Sequence, residues 1–209
     1  MDKVPRHIRQ RAAAELRRYA PRVTGSCSEG RRAAMVLGLL SGEVQLFNAH
    51  KTWAVEFELE KARIVNAVGD HILDVQHVGS TAIPNVPAKP VLDILVGVKD
   101  FDEASVCVAP LENIGYLYRH EYGIPRRHYF VKGDPRTHHL HMIETDSSDW
   151  ARTIAFRDFL TRDPGSACAY AEAKRSLAAM YSRDREAYQR EKGQVVERLL
   201  ALAESRRGA

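Results

Sequence analysis

The sequence predicts an α/β fold: a mixed body of strands and helices, preceded by a helical arm and followed by a helical tail. Three observations predict it. Short β-branched and aromatic runs, separated by Gly and Pro turns, are confined to residues 44–143. From Asp149 onward the apolar spacing becomes helical. Residues 1–42 carry nine Lys and Arg against three Asp and Glu, a surplus of +6 in a chain whose total is +4. The chain divides accordingly into a basic arm, residues 1–42, and a body, residues 43–209.

The elements follow in order. A helix is expected over residues 5–19, because Pro5 suits a first turn, Ile8, Ala12 and Leu16 share a face, and Pro21 ends it. A second helical run covers 28–40, and Gly42 closes the arm. Residues 44–47 read as a short strand. Thr52 is placed to cap a helix running to Val68, with Trp53, Phe57, Ile64 and Val68 on one stripe and Gly69 at its end. Residues 74–78 form a strand, and 79–90 a loop with room for one helical turn. Residues 91–98, VLDILVGV, have the apolar, β-branched character of a central strand, interrupted only by Asp93. A helix over 102–114 is imperfect at Pro110. Three strands follow at 116–120, 127–131 and 138–143, the last two joined by a turn at Lys132-Gly133-Asp134-Pro135. The tail reads as helices over 150–160, 166–181 and 184–203, with Asp163-Pro164-Gly165 separating the first two.

Several function classes lose support. No apolar run approaches the roughly 20 residues a membrane span requires, and the basic N-terminus is not followed by an apolar core and cleavage site. Cys27, Cys107 and Cys168 are far apart and odd in number, which fits a reducing cytoplasm better than a disulfide framework or zinc finger. A cytoplasmic protein with no membrane partner is expected. The basic arm offers either a weak nucleic-acid contact or a solvated helix face. The chain has no Walker P-loop, GxGxxG turn or HExxH helix. A Ser-His-Asp set built on Ser80 and Asp93 would lack the GxSxG turn.

Chemistry concentrates between His77 and Asp93. Gly79-Ser80 directly follows a strand, where glycine lets backbone N–H groups approach an anion and the serine hydroxyl adds a donor. Pro84, Pro87 and Pro90 stiffen the loop, and Lys89 is a natural phosphate contact. Asp93 then interrupts an apolar strand, where a carboxylate is costly unless paired, hydrogen-bonded or bound to metal. Two readings stand: metal-assisted phosphoryl or nucleotidyl transfer, or an Asp that caps amides of its own loop.

The runs Val75-Gln76-His77-Val78-Gly79-Ser80-Thr81-Ala82-Ile83-Pro84 and Ala88-Lys89-Pro90-Val91-Leu92-Asp93-Ile94-Leu95-Val96 resemble the signature of the GrpB family. The resemblance continues through Arg126-Arg127-His128-Tyr129-Phe130, His139-Leu140-His141-Met142 and Phe156-Arg157-Asp158-Phe159-Leu160, and spans about residues 44–202. It implies a nucleotidyltransferase-like core of the α+β type: a small mixed β-sheet with flanking helices. In active members of that superfamily the Gly-Ser turn holds a triphosphate, and paired carboxylates on the next strand hold magnesium. The match implies nucleotide or phosphate binding by His77, Gly79, Ser80, Thr81 and Lys89, with Asp93 as catalytic residue and Mg²⁺ ligand. It departs at the second carboxylate, where Leu95 stands. His141 is the residue expected to take the third-ligand position, since Glu144 would point to the opposite face of its strand. The expected ligands are a nucleoside triphosphate and a small-molecule acceptor. The alternative is a non-catalytic nucleotide- or protein-binding module, because relatives occur fused to dephospho-coenzyme A kinase.

Other residues carry two readings each. His138, His139 and His141, with His77, suit either a zinc site or hydrogen-bonding roles. Arg126 and Arg127 suit a phosphate contact or a solvated strand end. Tyr170 with Lys174, and Tyr188 with Lys192, are each four apart and share a helix face. Lys174 and Lys192 would reach a nucleotide, or each lysine stem would pack on its ring.

Overall fold

In the computed structural model, residues 37–38, 44–48 and 51–206 are described. The element order is α1 (Thr52–Val68), β1 (Asp74–Val78), β2 (Leu92–Val98), α2 (Val108–Asn113), β3 (Tyr116–Tyr118), β4 (His128–Lys132), β5 (His138–Glu144), α3 (Ser148–Arg162), α4 (Pro164–Met180) and α5 (Arg185–Ser205), with short 3₁₀ turns at Gly69–His71, Ser80–Ala82 and Glu103–Cys107. The five strands form one mixed sheet in the order β1-β2-β5-β4-β3. Only β2 and β5 run parallel; the other neighbours are antiparallel.

Alternation along the strands gives the sheet two different faces. One buries Val75, Leu92, Ile94, Val96, Phe130, Leu140 and Met142 against Trp53, Phe57, Ile64 and Val68 of α1. Each such side chain taken from water contributes roughly 1.5–3 kcal/mol, so this layer dominates stability. The other face is apolar at one end, where Val78, Leu95 and Ile143 pack under Trp150 and Ile154 of α3. A third cluster joins Ile83 and Val86 to Leu160 and Tyr170, fastening the loop after β1 to the helical tail.

From Thr52 onward the expected helices and strands are present, with informative differences. The helix expected over 5–19 lies outside the described residues, as does most of 28–40. At the two described positions of that run the backbone is not helical. Gly38 has φ +129° and donates to the Pro90 carbonyl, and Leu37 packs on the core. The strand expected over 44–47 is a single bridge between Phe47 and Ala88. Pro87 and Pro90 flank that contact and lack the N–H that would extend a ladder. Thr52 is not the cap; Lys51 holds that position, without a side-chain bond. The helix expected over 102–114 breaks into the 3₁₀ turn and α2, which places Pro110 in a first turn where its missing N–H costs nothing. Asp163 and Asp184 cap α4 and α5 through their carboxylates. Among the described residues no helix is long and apolar enough to cross a membrane.

Candidate functional site

The strand register builds the site. β2 and β5 pair Asp93 with His139 and Leu95 with His141. One row of side chains therefore crosses the sheet: Val78, Asp93, His139, Val131, Leu117. From Asp93 to Leu117 this row floors a cavity of about 390 Å³, within the usual size of small-ligand pockets. Lys174, Tyr188 and Lys192 of α4 and α5 line it, with Lys89 and Ser80 of the β1–β2 loop and Arg136 of the β4–β5 turn.

Asp93 is neither sealed nor spent on main-chain amides. Its side chain keeps 33% exposure, and Oδ1 accepts a hydrogen bond from His139 Nδ1 at 2.9 Å. Burial alone would raise its pKa, but the hydrogen bond and charge of His139 outweigh that and hold it at about 2. Among the described residues no hydrogen bond reaches Oδ2. That oxygen lies over the Cα of Gly79. A Cβ there would collide with Oδ2 and come within 2.9 Å of the Asp93 Cβ, and Gly79 also has φ +68°. Glycine is required on both counts.

The lysines set the electrostatics. The cavity is lined by five Lys and Arg side chains against Asp93 and Asp134. Lys174 is 2% exposed, donates to the Pro87 carbonyl and rests over the Tyr170 ring at 5.3 Å. Burial, with Lys192 nearby, pushes its amine down to about 6. Burial, together with Arg185 and Lys192, brings Lys89 to about 8, with its Nζ 5.2 Å from the Tyr188 ring centre. Ser80 Oγ lies 3.3 Å from the Tyr170 hydroxyl. Of the two Tyr-Lys pairs, Lys174 packs on its own ring and lines the cavity, whereas Tyr188 carries Lys89 on its ring and Lys192 only lines the cavity.

Of the residues expected at the site, Ser80, Thr81, Lys89, Asp93, Lys174 and Lys192 converge on the cavity. The others do not line it. Gly79 lies beneath Asp93. His77 points to the opposite face, stacks on Phe57 with centroids 4.7 Å apart, and pairs its Nε2 with Thr81 Oγ1 at 2.9 Å. Burial lowers its pKa to about 4, so it is neutral and positions the turn. His141 is one row away, receives Arg127 Nη1 at 3.3 Å, and is also held near 4 by burial. The position beside Asp93 belongs to His139 instead. Arg127 is buried, donating to the carbonyls of Glu121 and Tyr122 and lying over the Tyr129 ring. Arg126 is exposed and paired with Glu144 at 2.7 Å, which also occupies the spare carboxylate on β5. The four histidines split between the faces, His77 and His138 from His139 and His141. Among the described residues no cluster of three or more His, Cys, Asp or Glu side chains is placed to hold a metal.

Sequence reasoning missed Arg136, Arg185, Leu117 and Val131. Arg136 and Arg185 follow turn residues and look like solvated charges. Leu117 and Val131 look like ordinary strand residues until the register aligns them with Asp93.

The GrpB protein family model matches residues 43–202. A UPF0157 protein of Pseudomonas aeruginosa is 41% identical over 165 residues, covering 77% of this chain and 67% of that protein. The glutamate-rich protein GrpB of Alkalihalophilus pseudofirmus is 34% identical over 171 residues, covering 79% of this chain and 98% of that one. The crystal structure of conserved protein GrpB from Enterococcus faecalis superposes with a TM-score of 0.73 at 30% identity, covering 79% of this chain and all of that one. With its mixed sheet, its Gly79-Ser80 turn and its matched length, the chain belongs to the GrpB family.

Proposed function

We propose that the cavity binds a nucleoside triphosphate together with Mg²⁺. The observation that carries this reading is the cation-rich cavity set over the half-buried acid Asp93. Lys89, Lys174 and Lys192 crowd together, and burial lowers two of the three even though the Asp93 carboxylate acts on both. Three buried or half-buried ammoniums set against one carboxylate are costly, and a polyphosphate offsets that cost. Ser80 and the Gly79 turn add donors at the same end.

The donor set fits one magnesium and not two. Asp93 offers Oδ2, since Oδ1 is engaged by His139, and Leu95 at the next inward position is 2% exposed beneath Trp150 and Ile154. A single carboxylate suits a magnesium whose remaining ligands are phosphate oxygens and water. When bound, the ion would supply charge neutralisation on the phosphate tail. The protein's own part is positioning: the lysines orient the phosphates, and His139 keeps Asp93 aimed and charged. In the transfer reading, an acceptor hydroxyl or amine of a small molecule bonds to the α-phosphorus and gives up its proton to water. The α–β anhydride bond breaks, and pyrophosphate leaves along the lysines.

The sealed Leu95 favours a second reading, a nucleotide-binding module without catalysis. Calorimetry with ATP, CTP, GTP and UTP, with and without Mg²⁺, tests the binding reading. Metal-dependent binding that Asp93→Asn weakens by about ten-fold supports it. Absence of binding at millimolar nucleotide refutes it. Binding indifferent to both metal and Asp93 supports the accessory reading, and release of pyrophosphate with an acceptor supports transfer.

A further inference from the structure

The cavity is not uniformly cationic. The floor row leaves Asp93 and His139 and continues through Val131 to Leu117. Val131 is 6% exposed, whereas Leu117, on the edge strand β3, is 52% exposed. Leu117 and Val131 face each other across the β3–β4 pair and form an apolar shelf. Leu46, Asp134, Pro135 and Arg136 line the same cavity. Leu117 and Val131 line it together with Asp93 and the lysines, so this apolar pair is presented to whatever occupies the cavity.

Distance relates the two ends. From Asp93 to Leu117 the row crosses three strand intervals of ~4.8 Å, or about 14 Å. An inorganic phosphate at the lysines leaves the shelf untouched. A ligand that uses the whole cavity carries its charge at one end and a flat, apolar-faced group at the other.

We propose that Leu117 and Val131 form the seat for the ring of the ligand whose phosphates the lysines hold, that is, for the nucleobase of a nucleoside polyphosphate. This rests on the phosphate reading above. The ring lies face-down on the two side chains, and the aliphatic floor discriminates little between bases. Binding is therefore tolerant of base identity and intolerant of its removal.

The test compares inorganic tripolyphosphate with ATP and CTP, all with Mg²⁺, by calorimetry on the full chain. The wild type binds both nucleotides about ten-fold more tightly than tripolyphosphate. Leu117→Asn, at an exposed edge position, removes most of that difference by weakening the nucleotides and leaving tripolyphosphate unchanged. Leu117→Phe, which enlarges the seat, widens the difference. Equal affinity of tripolyphosphate and ATP in the wild type overturns the shelf while leaving the phosphate site standing. So does a nucleotide preference that neither variant moves. If neither tripolyphosphate nor nucleotide binds, the phosphate reading fails and the shelf falls with it.

Discussion

Lys174 occupies a position that opposes folding. In the folded chain its amine falls to about 6 from an ordinary 10.5, because burial disfavours the charge. The folded state then binds fewer protons than the unfolded state between those two values, so stability rises with pH across that window. Below pH 6 both states are charged and the cost of burying the ammonium is complete. Lys174→Met removes that cost. We expect thermal melts to show stabilisation by about 1–3 kcal/mol near pH 6, shrinking as pH rises toward 10. The same substitution weakens polyphosphate binding by about ten-fold. A gain in stability joined to a loss of binding separates a functional lysine from a packing one. Lys89 adds a pH signature. Its amine, at about 8, must be charged to hold phosphate. Nucleotide affinity therefore declines as pH rises from 6 to 9, first through Lys174 and then through Lys89, a trend that titration at several pH values checks.

At the scale of elements, the turn after β1 and the anchoring of α1 govern the site. Gly79→Ala would place a methyl on the Asp93 carboxylate in a backbone region that L-residues avoid. Urea unfolding should show a loss of about 2 kcal/mol or more, with Mg²⁺-dependent nucleotide binding abolished. On the opposite face Glu60 of α1 is 1% exposed, receiving Lys132 Nζ of β4 at 2.7 Å and Arg63 at 2.9 Å. Burial would raise the Glu60 pKa, but Lys132 and Arg63 bring it below its ordinary value. Its contribution is thus present above pH 4.5 and lost as pH falls through the lowered value. Lys132→Met leaves Glu60 Oε1 without its lysine and only Arg63 on the other oxygen, and urea unfolding should show a loss of about 3 kcal/mol. The sequence held a signal for Glu60, since positions 53, 57, 60, 64 and 68 share one stripe of α1. It was overlooked because a glutamate on a helix is normally solvated. The bounds expected for β1, residues 74–78, are those observed. The strand expected at 44–47 failed for a reason outside its own segment: its partner loop is proline-rich and cannot supply a ladder.

At the scale of the molecule, the site depends on pairing β2 with β5, which lie 40 residues apart in the chain. The acid at Asp93 and the turn at Gly79-Ser80 were legible because both are local anomalies: a carboxylate in an oily strand and a glycine straight after one. Its partner was not legible. Whether His139 or His141 faces Asp93 is decided by a two-residue register that no local pattern encodes. The same register aligns Leu117 and Val131 with the acid, and the helical tail brings Lys174 and Lys192 over them. The fold thus unites six separate segments around one cavity. The most direct test is a crystal structure of the full chain grown with a non-hydrolysable nucleoside triphosphate and Mg²⁺. The expected result is a phosphate tail between Ser80, Lys89, Lys174 and Lys192, with Asp93 facing its metal. An analogue bound elsewhere, or a cavity holding only solvent at saturating concentration, would contradict it.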